Sequence, residues 1–156
     1  MTRFTAMIGA AAIVALVGVG AAWSEDGEAV IKTRQDTMKA QGKALGAIKA
    51  YVEGKGELAA AQAAGPTLAS DVAKIPTLFP PKTGMAEFPG KSWAKPAVWS
   101  DHDKFLAQAK TAEEKAKALD AALKAGDMEK IKAAFGDMGK NGCGACHEPF
   151  REKKPS

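Results

Sequence analysis

Cys143-Gly144-Ala145-Cys146-His147, close to the C-terminal end, constrains this chain more than any other feature. Two thiols and an imidazole at this spacing form a c-type haem attachment site. On a helix, positions 143, 146 and 147 share one face, so the last helix must offer that face to a porphyrin. The thiols add across the two vinyl groups, and His147 offers a ring nitrogen to the iron as proximal ligand. A zinc site needs about four donors, whereas the chain has two cysteines and two histidines, the second being His102. A thioredoxin-like pair belongs beside a strand of a βαβ unit, and the residues before Cys143 read as helix.

Residues 1–22 read as a secretory signal peptide that is cleaved. Arg3 gives a positive start, Met7 to Gly20 is uncharged and largely apolar, and Gly20-Ala21-Ala22 is a small-residue cleavage site. The apolar stretch is shorter than the roughly 20 residues that span a bilayer, so no membrane segment is expected to remain. Export suits a haem held by covalent bonds, and the periplasm is the expected compartment. Residues 23–156 then form a single domain, enough chain for a four-helix core. The formal charge of +4 comes from scattered lysines without any base-recognition motif, which argues against nucleic-acid binding.

Apolar residues recur at helical spacing from about 27 to 52, with Ile31, Met38, Leu45 and Ile48 in one stripe. A second helix is expected over about 57–74, with Leu58, Ala61, Leu68 and Val72 inward and Gly65-Pro66 as a candidate kink or break. A proline-punctuated crossover follows over about 75–97. Its Leu78, Phe79, Phe88 and Trp93 predict packing along the bundle, with Trp93 and Phe88 limiting water around the haem. A third helix is expected over 98–125, anchored by Trp99, Leu106, Leu119 and Leu123, and a fourth over 128–153, carrying the attachment motif. The predicted fold is all-α: an antiparallel four-helix bundle with a long crossover between helices 2 and 3 and one covalent haem.

The opposite face of the iron decides function. Met138 lies nine residues before His147 on one helix, about 13 Å away, and does not readily reach the far side of the iron, and Met128 is further still. Met38 lies in the inward stripe of the first helix, where it serves either as core filler or as a thioether ligand. Met85 in the crossover and His102 at the start of helix 3 are competitors. Arg34, one turn before Met38, needs an anionic partner if it is buried, and a haem propionate supplies one; otherwise it snorkels to solvent.

The pattern resembles the cytochrome c prime and cytochrome c-556 family of exported four-helix cytochromes. The resemblance covers about residues 28–152. It rests on Arg34-Gln35 followed by Met38, on Leu78-Phe79-Pro80, on Trp99 and Phe105, and on the run Lys140 to Arg151 around the attachment motif. Members of the c prime type place an apolar side chain where this chain has Met38, which leaves a five-coordinate iron open to small gases. The c-556 type places methionine there. The resemblance thus implies a low-spin His147/Met38 haem, Arg34 beside a propionate, and Arg151 beside the proximal imidazole.

The expected function is single-electron transfer between periplasmic redox proteins, without enzymatic turnover. The competing expectation is binding or sensing of nitric oxide or carbon monoxide at a five-coordinate iron. Gly42 and Gly46 on the first helix permit close helix contact, either within a monomer or in a homodimer.

Overall fold

A computed structural model describes the backbone of residues 20–153 and the side chains from Asp26 onward. The predicted signal peptide lies almost wholly outside the described residues. The described helix α1 begins at Gly20, so the expected cleavage point after Ala22 falls in its first turn.

Helix α1 spans Gly20–Val52, and α2 spans Leu58–Ala73. A single 3-10 turn, Ile75–Leu78, opens the crossover, which leads to the one-turn helix α3, Ala97–Ser100, and then to α4, His102–Ala125. The last arm is divided into α5 (Met128–Asp137), a π-helical turn (Met138–Gly144) and α6 (Ala145–Phe150). Among the described residues the only extended pairing is one antiparallel bridge, Ala94 with Arg151. The result is a four-helix bundle in which α1, α2, α4 and the α5–α6 arm enclose one core.

Spacings of three and four build that core. Helix α1 buries Ile31, Arg34, Gln41, Ala44 and Ile48, while α2 buries Ala61, Gly65, Leu68 and Val72. Helix α4 contributes mostly small groups, Ala109, Ala112 and Ala116, between Phe105 and Leu119. Alanines let helix axes approach and leave room at one end of the bundle. Phe105 is buried and Leu106 is exposed, the reverse of the expected anchor.

Gly65-Pro66 does not break α2, which runs through both residues. A proline clashes with the carbonyl four residues earlier and restricts the residue before it, but that residue is glycine, the least restricted of all. A Cβ at Gly65 would stand 2.6 Å from Asp120 Oδ1 on α4. The glycine is therefore where α2 and α4 touch, and their packing holds the helix together.

The expected third helix is interrupted at Asp101, whose φ of −116° and ψ of 45° are not helical. Two aromatic anchors account for the break. Trp99 Nε1 donates to the Phe79 and Pro80 carbonyls at 3.1 and 3.2 Å, which ties α3 to the crossover, while Phe105 enters the core. One straight helix does not serve both anchors. Gly42 and Gly46 are exposed, with nothing near the place of a Cβ, so neither mediates a helix contact within the described chain.

Candidate haem site

The crossover is lashed to the attachment segment by backbone hydrogen bonds. Lys95 N–H donates to the Phe150 carbonyl at 3.0 Å, and Glu152 N–H donates to the Trp93 carbonyl at 2.8 Å. Met85 N–H donates to the Ala94 carbonyl at 2.9 Å, closing the crossover on itself. These bonds roof a cavity of about 490 Å³ between α1, α4 and the last arm. Cys143, Cys146 and His147 line it from the last arm, and Arg34, Met38 and Gln41 line it from α1.

The π-helical turn explains how the last arm meets the cavity. Ala145 N–H bonds the Lys140 carbonyl, an i to i−5 closure that brings residues five apart into register and commonly marks a functional site. Met138 consequently turns inward, fully buried, and lines the cavity. Its sulfur lies 2.9 Å from where a Cβ on Gly142 would stand, so only glycine leaves that sulfur undisturbed. The expected continuous fourth helix is thus corrected to α, π and α segments. Glycines stand at 136, 139, 142 and 144 of this arm.

Burial sets the chemistry of the attachment residues. Both thiols are free and half-buried. Desolvation raises the Cys143 thiol above its ordinary range and, with the neighbouring Cys143 adding to it, pushes Cys146 up to about 11. Both stay protonated near neutrality, as thiols and not as thiolates. The His147 imidazole is lowered from its ordinary value, first by burial and then by the positive charge of Arg151. It is held neutral, the form that binds a metal.

Arg34 is buried to 5% exposure. Its Nη2 donates to the Thr83 carbonyl at 2.9 Å and to Ser92 Oγ at 3.0 Å, and its guanidinium lies 4.4 Å from the centre of the Phe79 ring. Desolvation pulls its pKa down to about 10, so the charge persists. None of its hydrogen-bond partners is a carboxylate, which leaves a buried cation to be balanced by an anion in the cavity.

Phe105 forms the aromatic centre, with ring centroids 5.0 Å from Phe79 and 5.4 Å from Phe150 in edge-on arrangements. Trp93 joins the lining as expected. Phe88 does not: it packs against Gly27 of α1. Met85 and His102 also lie elsewhere, lining a broader hollow of about 810 Å³ over the crossover, and a His102 ring nitrogen bonds the Val98 carbonyl at 3.1 Å. Neither competitor reaches the cavity. Gln41 escaped sequence reasoning, although a polar residue three positions after Met38 in an inward stripe was its signal.

Two thiols, a neutral imidazole, a thioether and an unbalanced buried cation, around a hollow walled largely by Val72, Ile75, Phe79, Phe105 and Phe150, fit a covalently bound haem. Among the described residues no cluster of three or more His, Cys, Asp or Glu side chains suits a separate metal ion, and no helix is long and apolar enough to cross a membrane.

A family profile described as Cytochrome C' matches residues 29–151. The chain is 37% identical to a cytochrome c' of Pararhodospirillum photometricum, over 80% of this chain and 98% of the relative. It is 33% identical to a cytochrome c-556 of Agrobacterium tumefaciens, with 80% and 98% covered. Among solved structures it resembles the nitric oxide complex of a point mutant of cytochrome c prime from Alcaligenes xylosoxidans. There the TM-score is 0.72 and the identity 32%, and 82% of this chain and 97% of that chain are covered.

Proposed function

We propose, from the premise that this chain belongs to the cytochrome c' family and carries one covalent haem c on Cys143 and Cys146, that it transfers single electrons through a haem ligated by His147 and Met38. The haem supplies the ferric/ferrous couple. The observation that carries the reading is Met38 in the cavity wall, on α1, while His147 lines the same cavity from α6.

The residues divide the work. His147 is held neutral by burial, ready to donate a ring nitrogen. Met38 offers a soft sulfur that favours the ferrous state relative to a second imidazole and raises the potential. With His147 and Met38 both holding the iron in either oxidation state, little would have to rearrange when an electron moves. Arg34 balances an anionic edge such as a propionate, and the aromatic and aliphatic walls keep water away. Donor and acceptor are periplasmic redox proteins met through a modest, transient patch, after export directed by residues 1–22.

A second reading is reversible binding of nitric oxide or carbon monoxide at the distal face. The cytochrome c' relatives and the nitric oxide complex among the structural neighbours favour it over the first as a group. The residue at position 38 and the c-556 relative favour electron transfer. The two readings meet at one atom, the sulfur of Met38. Visible and near-infrared spectra of the purified ferric and ferrous holoprotein test them: a low-spin ferric haem with a weak far-red sulfur-to-iron band supports electron transfer, and a high-spin haem supports gas binding.

A further inference from the structure

We infer that Ser92 is a positioning residue: its hydroxyl aims the Arg34 guanidinium at the anion the cavity holds, and so sets how strongly that buried charge acts on the haem. The inference rests on the reading proposed above, in which Arg34 balances an anionic edge of the haem.

Serines are mostly exposed, yet Ser92 is 1% exposed and lines the cavity together with Arg34. A hydroxyl has one proton to donate and two lone pairs with which to accept. All of that capacity is spent here. Ser92 Oγ donates to the Thr83 carbonyl at 2.9 Å, and it accepts from Arg34 Nη2 at 3.0 Å and from the Ala94 N–H at 3.3 Å. The same Thr83 carbonyl takes a second Nη2 proton at 2.9 Å. Arg34 Nη2, Ser92 Oγ and the Thr83 oxygen thus close a triangle in which each bond polarises the next.

The triangle decides what Arg34 has left to offer. A guanidinium carries its N–H donors in one rigid plane, and both on Nη2 are taken. Nη1 has only the Leu78 carbonyl and Thr83 Oγ1, each at 3.5 Å, while Nε has no partner among the described residues and is not sealed in. The donors that remain are those an anion in the cavity can use. Two bonds on Nη2 and the Phe79 ring at 4.4 Å fix the plane, whereas a single bond would let it pivot about the Thr83 carbonyl. Ser92 is itself firmly seated: its N–H donates to the Phe88 carbonyl at 2.9 Å, and the next carbonyl, of Trp93, accepts from the Glu152 N–H at 2.8 Å. A side chain that must hold a functional group in place needs such backing.

A double-mutant cycle on the midpoint potential of the holoprotein tests this, with Arg34→Leu, Ser92→Ala and the two together. The drop in potential that Arg34→Leu causes should be smaller on the Ser92→Ala background, because a charge free to pivot away acts less on the iron. Ser92→Thr keeps the hydroxyl and should preserve the full drop. A role for Ser92 in stability alone would leave the drop the same on every background. In the unsubstituted ferrous holoprotein, nitrogen-15 NMR should resolve the two Arg34 Nη2 protons as separate, slowly exchanging signals, a measurement that needs no folded variant. An equal or larger drop on Ser92→Ala, or a reduced one on Ser92→Thr, overturns the role of Ser92 and leaves Arg34 at the haem. Nη2 protons averaged into one signal also overturn it, because the guanidinium then turns freely. No drop from Arg34→Leu in the unsubstituted protein overturns the inference and, with it, the place of Arg34 in the proposed function.

Discussion

Arg34 lays its guanidinium over the Phe79 ring at 4.4 Å, and this places a buried cation at the junction of α1 and the crossover. The ring face accepts the positive charge without neutralising it, and the hydrogen bonds to Thr83 and Ser92 are to neutral oxygens. A charge so placed acts on any redox centre in the same cavity. Replacing Arg34 with leucine removes a cation that disfavours the ferric state, so the midpoint potential should fall while haem content is retained. Spectroelectrochemical titration of both proteins reads the difference, and superimposable curves would remove Arg34 from the site.

Met38→Ala should turn a low-spin haem into a high-spin one that binds carbon monoxide rapidly, as read by absorbance and flash photolysis. Met85 and His102 line a different hollow, so neither replaces the lost sulfur. An unchanged spectrum would mean that α1 supplies no ligand.

Gly142→Ala should lower stability by about 1–3 kcal/mol, the range for overpacking a filled interior. The added methyl meets the Met138 sulfur at 2.9 Å, with Ala112 backbone behind it at 3.7 Å. Met138 is fully buried, so it yields only into the haem cavity. Chemical denaturation of the holoprotein measures the loss, and Gly136→Ala, where nothing lies near, is the matched control.

Phe105→Ala should cost about 3–5 kcal/mol, the usual range for a buried phenylalanine. The ring joins Phe79 to Phe150 and is 1% exposed, so its loss opens both the core and the cavity wall. Denaturant midpoints with an unchanged m-value measure it.

The His147 imidazole, lowered by burial and by Arg151, carries a pH consequence of definite sign. The unfolded chain takes up this proton at the ordinary histidine value of about 6.5, and the folded chain only below it. The stability held in the neutral ring is therefore present above about 6.5 and is lost as pH falls through the lower folded value. Arg151→Gln removes a repelling charge and raises the folded value of the unligated ring, so in the haem-free protein this loss of stability should begin at higher pH. An acid titration of the haem-free protein followed by circular dichroism checks this.

How much was legible in the sequence follows from which features depend on local pattern. Ile31, Ile48, Leu68 and Val72 are spaced by helical turns, and their spacing predicted the buried faces of α1 and α2. Cys143, Cys146, His147, Met38 and Arg34 were all read from the sequence, and all line one cavity. The break at Asp101 was not legible, because it arises from Trp99 bonding crossover carbonyls about twenty residues earlier. Gln41 was passed over because a polar residue between apolar neighbours looks solvated until the opposite wall is known. The π turn was hidden for another reason. Glycines lower helix propensity whatever the hydrogen-bond register, so their run before Cys143 signals close approach without saying which register supplies it.

The most direct test of the account is the ferric spectrum of the purified holoprotein at neutral pH, from the visible into the near infrared. Ligation by His147 and Met38 predicts a low-spin haem with a weak far-red sulfur-to-iron band that disappears in Met38→Ala. A five-coordinate, high-spin spectrum without that band in the unsubstituted protein would contradict it.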